Sequence, residues 1–502
     1  MRNITNVLEF LENSANNYPD KIAFADDKVS ITYKDLVQKA RAYGSYLATK
    51  VEPTQPIAIL GDKSVDSIIS FFSCVYAGCF YVPLNTRHPK ERIQLILDTL
   101  DKPYVIVHTN FDRFLPEYDE SKILRLDADA KEDPILLNKI RENHIDVDPL
   151  YVLFTSGSTG TPKGIAVSHR SVIDFITIFT DIFDIKADEI IGNQAPFDFD
   201  VSTKDIYSTI SVGATMEIIP KGKFSFPTFL VDYLIERKVT TLIWAVSALT
   251  ILSTLKAFDY KVPTDIKKVL FSGEVMPINQ LNIWKEHLPN TKFINLYGPT
   301  EITCNCSYYE IPDGPFTKDV LPIGKTFPNE RIILLDEELN EVKNPRDVGE
   351  ICVSGTALAM GYYNKKVETD AAFIQNPLNS RYIEPIYRTG DLGYYNEDGE
   401  LCFIGRRDFQ IKYMGHRIEL SEIESAISQI EGIDKAVVLF SQKEEKIWAF
   451  YKGDIEPKAI AKALNVKIPQ YMVPSKFEKV DHFDLTENGK TDRKKLAKEY
   501  NL

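Results

Sequence analysis

Helix-length and strand-length apolar segments alternate through the first half of this chain, and that alternation restricts its fold more than any other feature. Residues 35–47 carry apolar side chains at helical spacing, 57–60 form a short apolar run typical of a buried strand, and 64–77 again have the length of a helix. The alternation continues through Val269. It predicts an α/β fold of layered subdomains with mainly parallel sheets, because parallel strands are joined by helical crossovers.

After Leu335 the pattern changes to short strands separated by turns, which predicts a β-rich subdomain. The predicted strands lie at 350–353, 361–363, 393–395 and 401–403. A candidate domain boundary follows at Arg407–Asp408. Beyond it we expect a small α+β domain with helices at 419–429 and 457–464 and strands at 435–440 and 446–451. The predicted division is therefore a large N-terminal domain, 1–406, and a small C-terminal domain, 407–502.

Size and charge exclude several classes of protein. The chain has 502 residues, more than one ordinary hydrophobic core, so two or more subdomains are expected. A net charge of −13 argues against nucleic acid as a partner, because phosphate backbones bind basic surfaces. The apolar run 68–84 is interrupted by Gly78 and Pro83 and is short for a membrane span, so we expect a buried helix followed by a buried strand and no membrane insertion.

Cysteine usage points to a reducing compartment. Six cysteines are spread along the chain without the paired spacing of a zinc site. Cys304 and Cys306 lack a second Cys/His pair nearby, which favours a place in a pocket wall and the core. The first residues show no continuous apolar segment of a signal peptide, so a cytoplasmic location is expected. Nothing in the sequence demands more than a monomer.

The segment 153–170, LFTSGSTGTPKGIAVSHR, carries the strongest functional signal. It continues from an apolar run, 150–154, that is typical of a buried strand. Hydroxyls, backbone N–H groups beside glycine and one ammonium are suited to hold a polyphosphate. The candidate ATP-binding residues here are Thr155, Ser156, Gly157, Ser158, Thr159, Gly160 and Lys163. Pro162 excludes a P-loop, which has Gly directly before its Lys, and the alternative is a solvated Ser/Thr/Gly linker.

The segment 295–301, NLYGPTE, could be a plain turn after a strand, but its side chains also suit a nucleotide. The Tyr297 ring offers a flat face to a purine, and the Asn295 amide can donate and accept along a base edge. Thr300 supplies a hydroxyl to a phosphate. Glu301 supplies a hard oxygen ligand for Mg²⁺, which binds through one or two carboxylates plus substrate phosphates. The candidate ATP-binding residues of this segment are Asn295, Tyr297, Gly298 and Thr300, with Glu301 as candidate metal ligand.

Three later segments complete the set: YRTGD at 387–391, GRRDFQIK at 405–412 and NGKTDR at 488–493. Each by itself is typical of a turn or a solvated basic surface. In this order, however, they and the two earlier segments resemble the motifs of the adenylate-forming superfamily, which includes acyl-CoA synthetases, firefly luciferase and nonribosomal peptide synthetase adenylation domains. The resemblance extends from ITYKDL near Ile31 to Lys490, which is essentially the whole chain.

The resemblance implies a large domain with a small mobile lid, and ATP and Mg²⁺ as cofactors. It implies that Asp391 accepts both ribose hydroxyls and that Arg406 reaches the ribose or the α-phosphate. It makes Lys490 the mobile catalytic lysine of the first half-reaction, acting with Glu301 and Thr300. A lysine placed there offsets negative charge where the charge gathers.

The two half-reactions require two positions of the small domain. The resemblance implies that the small domain rotates about a hinge at Asp408, because Lys490 cannot serve the first step and also leave room for a thiol. Lys412 and Gly415 follow the hinge, and we expect both to approach the site after the rotation. Closure movements of this kind gate many enzymes.

The segment 193–202, NQAPFDFDVS, bears on the substrate. Superfamily members that activate α-amino acids carry a Phe-Asp-x-Ser pattern, and Asp200 is the expected partner of the substrate ammonium, which is too costly to bury unpaired. Residues 193–200, 272–277 and the chain length resemble D-alanine:D-alanyl-carrier-protein ligases, although Ser272 stands where those ligases have Cys. The candidate substrate-binding residues are Asp200, Val201, Lys204, Trp244, Ser272, Leu296, Cys304 and Asn305.

The side-chain pocket leaves several substrates open. D-Alanine is the leading candidate, but Lys204 and Asn305 are unlike a pocket shaped for a methyl group. Leu270, Ser272 and Leu296 resemble peptide synthetase pockets for Ser or Cys. Lys204 would suit an acidic side chain if it points inward, and alternatively it extends to solvent.

The sequence therefore predicts an AMP-forming ligase. We expect it to convert an α-amino acid and ATP into aminoacyl-AMP and to transfer the aminoacyl group to the phosphopantetheine thiol of a carrier protein. One alternative is an acyl- or aryl-CoA ligase of the same superfamily, which would have no use for the Asp200 carboxylate. The other is a catalytically silent nucleotide-binding scaffold, against which the joint presence of Lys490, Glu301, Asp391 and Arg406 argues.

Overall fold

The computed structural model of the protein describes residues 4–108, 113–115, 117–126, 129–156, 161–407, 410–484 and 491–502. Within them the α-helices are α1 (Leu8–Asn17), α2 (Tyr33–Ala48), α3 (Val65–Tyr76), α4 (Lys90–Thr99), α5 (Pro134–Asn143), α6 (His169–Ile182), α7 (Val201–Val212), α8 (Pro227–Glu236), α9 (Val246–Thr254), α10 (Ile278–His287), α11 (Lys366–Ala372), α12 (Leu420–Ser428), α13 (Pro457–Lys467) and α14 (Arg493–Glu499).

The strands of the same described ranges are β1 (Ile22–Ala25), β2 (Ser30–Thr32), β3 (Pro56–Leu60), β4 (Phe80–Leu84), β5 (Tyr104–Val107), β6 (Ile123–Leu124), β7 (Pro149–Thr155), β8 (Lys163–Ser168), β9 (Ile190–Asn193), β10 (Thr215–Ile218), β11 (Thr241–Ala245), β12 (Lys268–Ser272), β13 (Lys292–Tyr297), β14 (Ser307–Glu310), β15 (Lys325–Thr326), β16 (Glu330–Leu335), β17 (Gly349–Gly355), β18 (Gly361–Tyr362), β19 (Phe373–Gln375), β20 (Pro385–Tyr395), β21 (Leu401–Arg406), β22 (Gln410–Tyr413), β23 (His416–Glu419), β24 (Ile433–Ser441), β25 (Lys446–Gly453) and β26 (Lys476–Lys479).

Two large sheets hold most of the chain. One runs β18-β8-β7-β4-β3-β5-β6, and the other runs β15-β14-β13-β12-β11-β9-β10-β1-β2. Pairing is parallel from β7 to β6 in the first sheet and from β13 to β1 in the second, with antiparallel strands at the edges. The α/β class predicted from the alternating pattern is confirmed.

The central helices are buried because they lie between layers. Ser64 caps α3 by accepting a hydrogen bond from the Ser67 N–H, and every residue of α3 except Asp66 is buried. The helix packs on α2, where a Cβ on Gly44 would lie 2.6 Å from the Tyr76 Cβ, so only glycine permits this approach. The apolar run 68–84 is thus the end of α3 followed by β4, as predicted.

A five-stranded sheet with the order β16-β17-β20-β19, and β21 beside β20, forms the predicted β-rich part. The prediction is wrong for 361–363. Strand β18 pairs with β8 in the seven-stranded sheet, and the flanking N–H groups of Met360 and Tyr363 donate to the carbonyls of Ala166 and Gly164. A sequence pattern shows that a strand is short and apolar, but it does not show which sheet edge receives it.

Residues 410–484 and 491–502, here called the C-terminal unit, have sheets of their own. They comprise the hairpin β22–β23 and the sheet β24-β25-β26. Helices α12 and α13 share one core with this sheet, and α14 packs on its other face. The helices and strands predicted for 419–464 are present with small shifts at their ends.

Among the helices of the described ranges, none is both long enough and apolar enough to cross a bilayer.

Candidate active site

The hydroxyl- and glycine-rich segment joins two antiparallel strands. Strand β7 ends at Thr155, whose register partner is Lys163 at the start of β8. Ser156 is buried; its Oγ donates to the Arg417 carbonyl at 2.6 Å and accepts from the Glu419 N–H at 3.2 Å. The Lys163 Nζ lies 5.4 Å from the centroid of the Tyr362 ring. The candidates Gly157, Ser158, Thr159 and Gly160 lie outside the described residues.

Three strands, β13, β20 and β21, assemble the expected adenosine side of the site. Tyr297 is the last residue of β13, and its hydroxyl donates to the Asp391 Oδ2 at 2.6 Å. Asp391 and Arg406 are register partners on β20 and β21, and Arg406 Nη1 lies 2.6 Å from the Asp391 Oδ1. Burial and the neighbouring carboxylate raise the pKa of Tyr297, which keeps its phenol a donor. In this arrangement both carboxylate oxygens of Asp391 accept a hydrogen bond, Oδ2 from Tyr297 and Oδ1 from Arg406.

Asn295 lies two residues before Tyr297, on the same face of β13. Its amide nitrogen donates to the Pro322 carbonyl at 2.8 Å. Gly298 follows Tyr297, and a Cβ there would lie 2.4 Å from the Asn305 Cα, so the turn requires glycine. The chain then passes through Thr303 and Cys304 with φ of 51° and 77°. Consecutive non-glycine residues in the left-handed region are strained, and such strain concentrates at functional sites.

Glu301 is 1% exposed and holds two partners from different parts of the chain. Its Oε2 lies 2.6 Å from Arg417 Nη1 on β23, and its Oε1 accepts from the Tyr362 hydroxyl at 2.8 Å. Burial alone would raise the pKa of Glu301, but Arg417 and the hydroxyls of Tyr362 and Tyr387 bring the pKa below its ordinary value. An ionised carboxylate beside the phosphate loop fits Mg²⁺, which needs few protein ligands when substrate phosphates supply the rest.

In the observed arrangement the Glu301 carboxylate is already paired with the Arg417 guanidinium. Among the described residues no group of three or more His, Cys, Asp or Glu side chains could hold a metal by itself. A metal at Glu301 would therefore depend on phosphate ligands. Thr300 opens the short 3₁₀ turn that carries Glu301, and its hydroxyl bonds to Asp200.

Asp200 and Lys204 lie one helical turn apart at the start of α7. Lys204 is 1% exposed, and its Nζ donates to the Asn305 Oδ1 at 2.7 Å and to the Ser272 Oγ at 3.2 Å. The side chain therefore points inward and does not extend to solvent. Burial raises the pKa of the Asp200 carboxyl, opposed by the hydrogen bond from Thr300 and by the charge of Lys204.

Three strand residues complete the wall around this pair. Ser272, Leu270 and Leu296 lie on one face of the nine-stranded sheet, and the Cys304 Sγ donates to the Asp200 carbonyl at 3.0 Å. Val201, in the first turn of α7, is buried with them. The structure thus brings together all the predicted substrate residues except one.

Trp244 lies elsewhere. Its register partner on β12 is Phe271, so its side chain projects from the opposite face of the sheet to Ser272 and Leu270. Its indole N–H donates to the Gly192 carbonyl at 2.7 Å. Ile243 and Ala245, the strand neighbours of Trp244, share the face of the pocket instead. Neighbouring residues of a strand point to opposite faces of the sheet. An assignment that is wrong by one residue therefore places the side chain on the wrong face.

The hairpin β22–β23 enters the site from the C-terminal unit. Met414 and Gly415 have φ of 50° and 78°, as a two-residue type I′ turn requires. The Gly415 N–H donates to the Glu274 Oε1 at 2.8 Å, and a Cβ on Gly415 would lie 3.3 Å from the Ala245 Cβ. Lys412 is half-buried with its Nζ 5.7 Å from the centroid of the Tyr297 ring. The observed arrangement therefore places Lys412 and Gly415 at the site.

A second contact holds the C-terminal unit against the rest of the chain. Arg92 Nη1 on α4 lies 2.5 Å from the Glu422 Oε1 on α12, with both side chains almost fully buried. Beside it the His416 ring stacks on Tyr471 at 3.6 Å between centroids and meets the edge of Phe199 at 5.3 Å. Phe199 directly precedes Asp200, so this interface adjoins the substrate pocket.

Asp408 and Lys490 lie outside the described residues, so their roles as hinge and catalytic lysine stay predictions. Arg417, Tyr362 and Glu274 are site residues that the sequence reasoning missed. Arg417 follows Gly415 by two residues, and extending the hairpin pattern through HRIEL would have included it. Tyr362 reaches the site only through chain folding, whereas Glu274 lies in the segment 272–277 that was used for the resemblance without a role being assigned to this side chain.

The structure thus brings the candidate nucleotide residues Tyr297, Asp391 and Arg406 together, and it places Glu301 against Arg417 of the C-terminal unit. A family model described as "AMP-binding enzyme" matches residues 11–363. Zwittermicin A synthase ZmaJ of Bacillus cereus is 32% identical, over 98% of this chain and 95% of that protein. D-Alanine–D-alanyl carrier protein ligase of Bacillus licheniformis is 31% identical, over 98% of this chain and 99% of that protein.

Solved structures agree on the fold. The Vibrio cholerae adenylation domain AlmE, in complex with glycyl-adenosine-5'-phosphate, superposes with a TM-score of 0.85 at 22% identity, covering 100% of this chain and 98% of that one. PA1221, a protein containing adenylation and PCP domains, gives 0.83 at 23% identity, covering 99% and 97%. The chain belongs to the AMP-binding enzyme family. It is an adenylate-forming ligase whose relatives include amino acid adenylating enzymes.

Proposed function

We propose that this enzyme converts an α-amino acid and ATP into aminoacyl-AMP and pyrophosphate, and then transfers the aminoacyl group to the phosphopantetheine thiol of a carrier protein. In the first step a carboxylate oxygen of the substrate bonds to the α-phosphorus and the bond to pyrophosphate breaks. In the second step the thiol sulfur bonds to the carbonyl carbon, AMP leaves and a thioester remains. Both steps need positioning and charge compensation more than covalent chemistry by the protein.

The observation that carries the amino acid class is the carboxylate of Asp200. It lies at the start of α7, next to Thr300 and one turn from the pocket residue Lys204. A buried ammonium needs an anionic partner, whereas a fatty or aryl acid brings no cation to neutralise. An acyl- or aryl-CoA ligase would gain nothing from this group, which disfavours that alternative.

In this proposal the nucleotide binds to the candidate residues described above. The Tyr297 ring receives the adenine, Asp391 the ribose hydroxyls, and Arg406 the ribose or the α-phosphate. Residues Thr155, Ser156 and Lys163 flank the polyphosphate. Glu301 would hold Mg²⁺, which would supply charge neutralisation to the phosphates. Lys490 supplies the positive charge that the first step requires. The C-terminal unit then rotates about Asp408 to the arrangement described above.

Support for a carrier protein comes from two similar proteins, a D-alanyl carrier protein ligase and a protein with adenylation and PCP domains. Gly415 packs beside Ala245 and Glu274, and its lack of a side chain is consistent with a thin pantetheine arm passing there. All six cysteines are unpaired and buried, in keeping with the cytoplasm. We treat the enzyme as a monomer.

D-Alanine is the substrate named for one relative, and the sequence resemblance favours it. The test is amino-acid-dependent exchange of labelled pyrophosphate into ATP over a panel of D- and L-amino acids, followed by thioester formation on a phosphopantetheinylated carrier protein or on CoA. Exchange with an amino acid and transfer to the carrier are expected. Exchange only with acids that lack an amino group would establish the CoA ligase, and no exchange with any acid would establish the scaffold.

A further inference from the structure

Lys204 is a buried cation whose hydrogen bonds, among the described residues, go to neutral groups. Its ammonium has three protons, and two donate to the Asn305 amide oxygen and the Ser272 hydroxyl. The side chain is 1% exposed. Buried lysines are rare unless an anion compensates them. The anion for Lys204 must therefore come from the protein nearby or from the substrate.

Two aspartates, Asp200 and Asp205, are close enough for their charges to raise the pKa of Lys204, but each also interacts with another group. Asp205 accepts from the Asn193 amide at 2.6 Å, and the Lys63 Nζ bonds the same asparagine at 3.1 Å. Burial raises the pKa of Asp205 to about 7 although the charges of Lys204 and Lys63 oppose the rise, and among the described residues Asp205 makes no hydrogen bond to Lys204. Asp205 is therefore a weak counter-charge for Lys204. Asp200, under the proposed function, is taken by the substrate ammonium.

Binding of an amino acid with a neutral side chain would leave the pocket with one excess positive charge. Asp200 contributes one negative charge, and the ammonium and Lys204 contribute two positive charges. An uncompensated buried charge costs several kcal/mol. A methyl group, as in D-alanine, would also leave the donors of Lys204 facing hydrocarbon.

We propose that the substrate is an α-amino acid with a short acidic side chain, whose carboxylate binds Lys204 and the Asn305 amide while its ammonium binds Asp200. This inference rests on the proposed function and names its substrate class. The substrate then brings one positive and two negative charges, of which the α-carboxylate is consumed in the adenylate. The remaining charges of pocket and aminoacyl group sum to zero.

The short length follows from the spacing of the two charges. Asp200 and Lys204 lie four residues apart on one face of α7, about 6 Å between Cβ atoms. Leu270, Leu296 and Cys304 are buried around them and close the far side. Burial lowers the pKa of Lys204, and a bound carboxylate would raise it again, which couples the anion to the protonated lysine.

The test is pyrophosphate exchange by the full chain with D- and L-forms of aspartate, asparagine, glutamate, serine and alanine. Aspartate and asparagine have the same shape and differ in charge. The expected result is a kcat/KM for one aspartate isomer about 30- to 5,000-fold above that for the matching asparagine. Lys204→Met is expected to remove this preference, with alanine exchange changed far less than aspartate exchange.

Lys285→Met is the matched control. Lys285 is another buried lysine, but its Nζ donates to the Pro312 carbonyl at 2.6 Å on the other face of the sheet. It should lower the melting temperature without altering the ratio of aspartate to asparagine. If Lys204→Met does not fold, the comparison of the two amino acids in the unmodified chain still decides.

The outcomes separate the two proposals. Exchange that favours alanine, serine or asparagine over aspartate and glutamate overturns the acidic substrate and leaves amino acid activation standing. Exchange with no amino acid overturns the proposed function itself. A Lys204→Met variant that folds, binds ATP and keeps the full aspartate preference overturns the role of Lys204.

Discussion

The buried ion pair between Arg92 and Glu422 predicts how the C-terminal unit is held in the observed arrangement. The side chains are 4% and 3% exposed, and the two charged atoms are 2.5 Å apart. Arg92→Met would remove the Arg92 cation from the buried Glu422 carboxylate. In the proposed rotation of the unit, the same carboxylate would leave this interface, and the penalty would not apply. The substitution should therefore act on the equilibrium between the two arrangements.

The magnitude follows from the burial of both partners. Removing one member of a fully buried pair costs about 3–5 kcal/mol. With about 1.4 kcal/mol per tenfold, the ratio of docked to undocked molecules should fall about 100- to 5,000-fold. The double variant Arg92→Met with Glu422→Leu should recover most of the docked population, because a matched apolar pair replaces a buried ion pair at little cost.

Two measurements follow this equilibrium. Distances between a label on the C-terminal unit and one on the large domain report docking, and the six native cysteines are buried, so engineered cysteines can carry the labels. Single-turnover transfer from preformed aminoacyl-AMP reports the second half-reaction, which should slow in Arg92→Met and recover in the double variant. Unchanged distances and transfer rates in Arg92→Met would show that the ion pair with Glu422 does not hold the C-terminal unit in place.

Four further predictions concern the site. Lys490→Ala should slow adenylate formation about 100- to 1,000-fold and spare thiolation of preformed adenylate; equal losses in both would remove the assigned role. Asp408→Pro should spare adenylation and slow transfer, because proline fixes φ, and unchanged transfer would rule out this hinge. Asp200→Asn should lower kcat/KM for the amino acid about 100-fold or more with ATP binding intact, and robust activation would point to another ammonium partner. Burial lowers the pKa of His416 to about 4, so acidification below its ordinary 6.5 should favour undocking, about tenfold at pH 5.5; a docked fraction constant from pH 7.5 to 5.5 would contradict this.

The local parts of the fold could be predicted from the sequence because they depend on periodicity. The apolar run 68–84 gave a helix and a strand, and the pattern at 419–464 gave the elements of the C-terminal unit. Sheet membership could not be predicted for 361–363, since β18 joins β8 through backbone pairing that no side-chain pattern marks. Trp244 shows the same limit at the pocket, where one residue decides which face of a strand is reached.

The motifs predicted which segments contribute to the site, but they did not predict which charged side chains interact there. The sequence left Lys204 either inward or extended to solvent, and only packing against Asn305 and Ser272 decides between the two. Arg417 at Glu301 depends on the position of the C-terminal unit, which is a tertiary property. Contacts between segments that are distant in the sequence therefore could not be predicted from the sequence.

We propose that an amino acid is joined to AMP in this cleft, and a crystal structure with a non-hydrolysable aminoacyl-AMP analogue is the decisive experiment. We expect the adenine against Tyr297, the ribose hydroxyls on Asp391 and the ammonium on Asp200. An analogue bound with its adenosine away from Tyr297 and Asp391, or with its amino group away from Asp200, would contradict it.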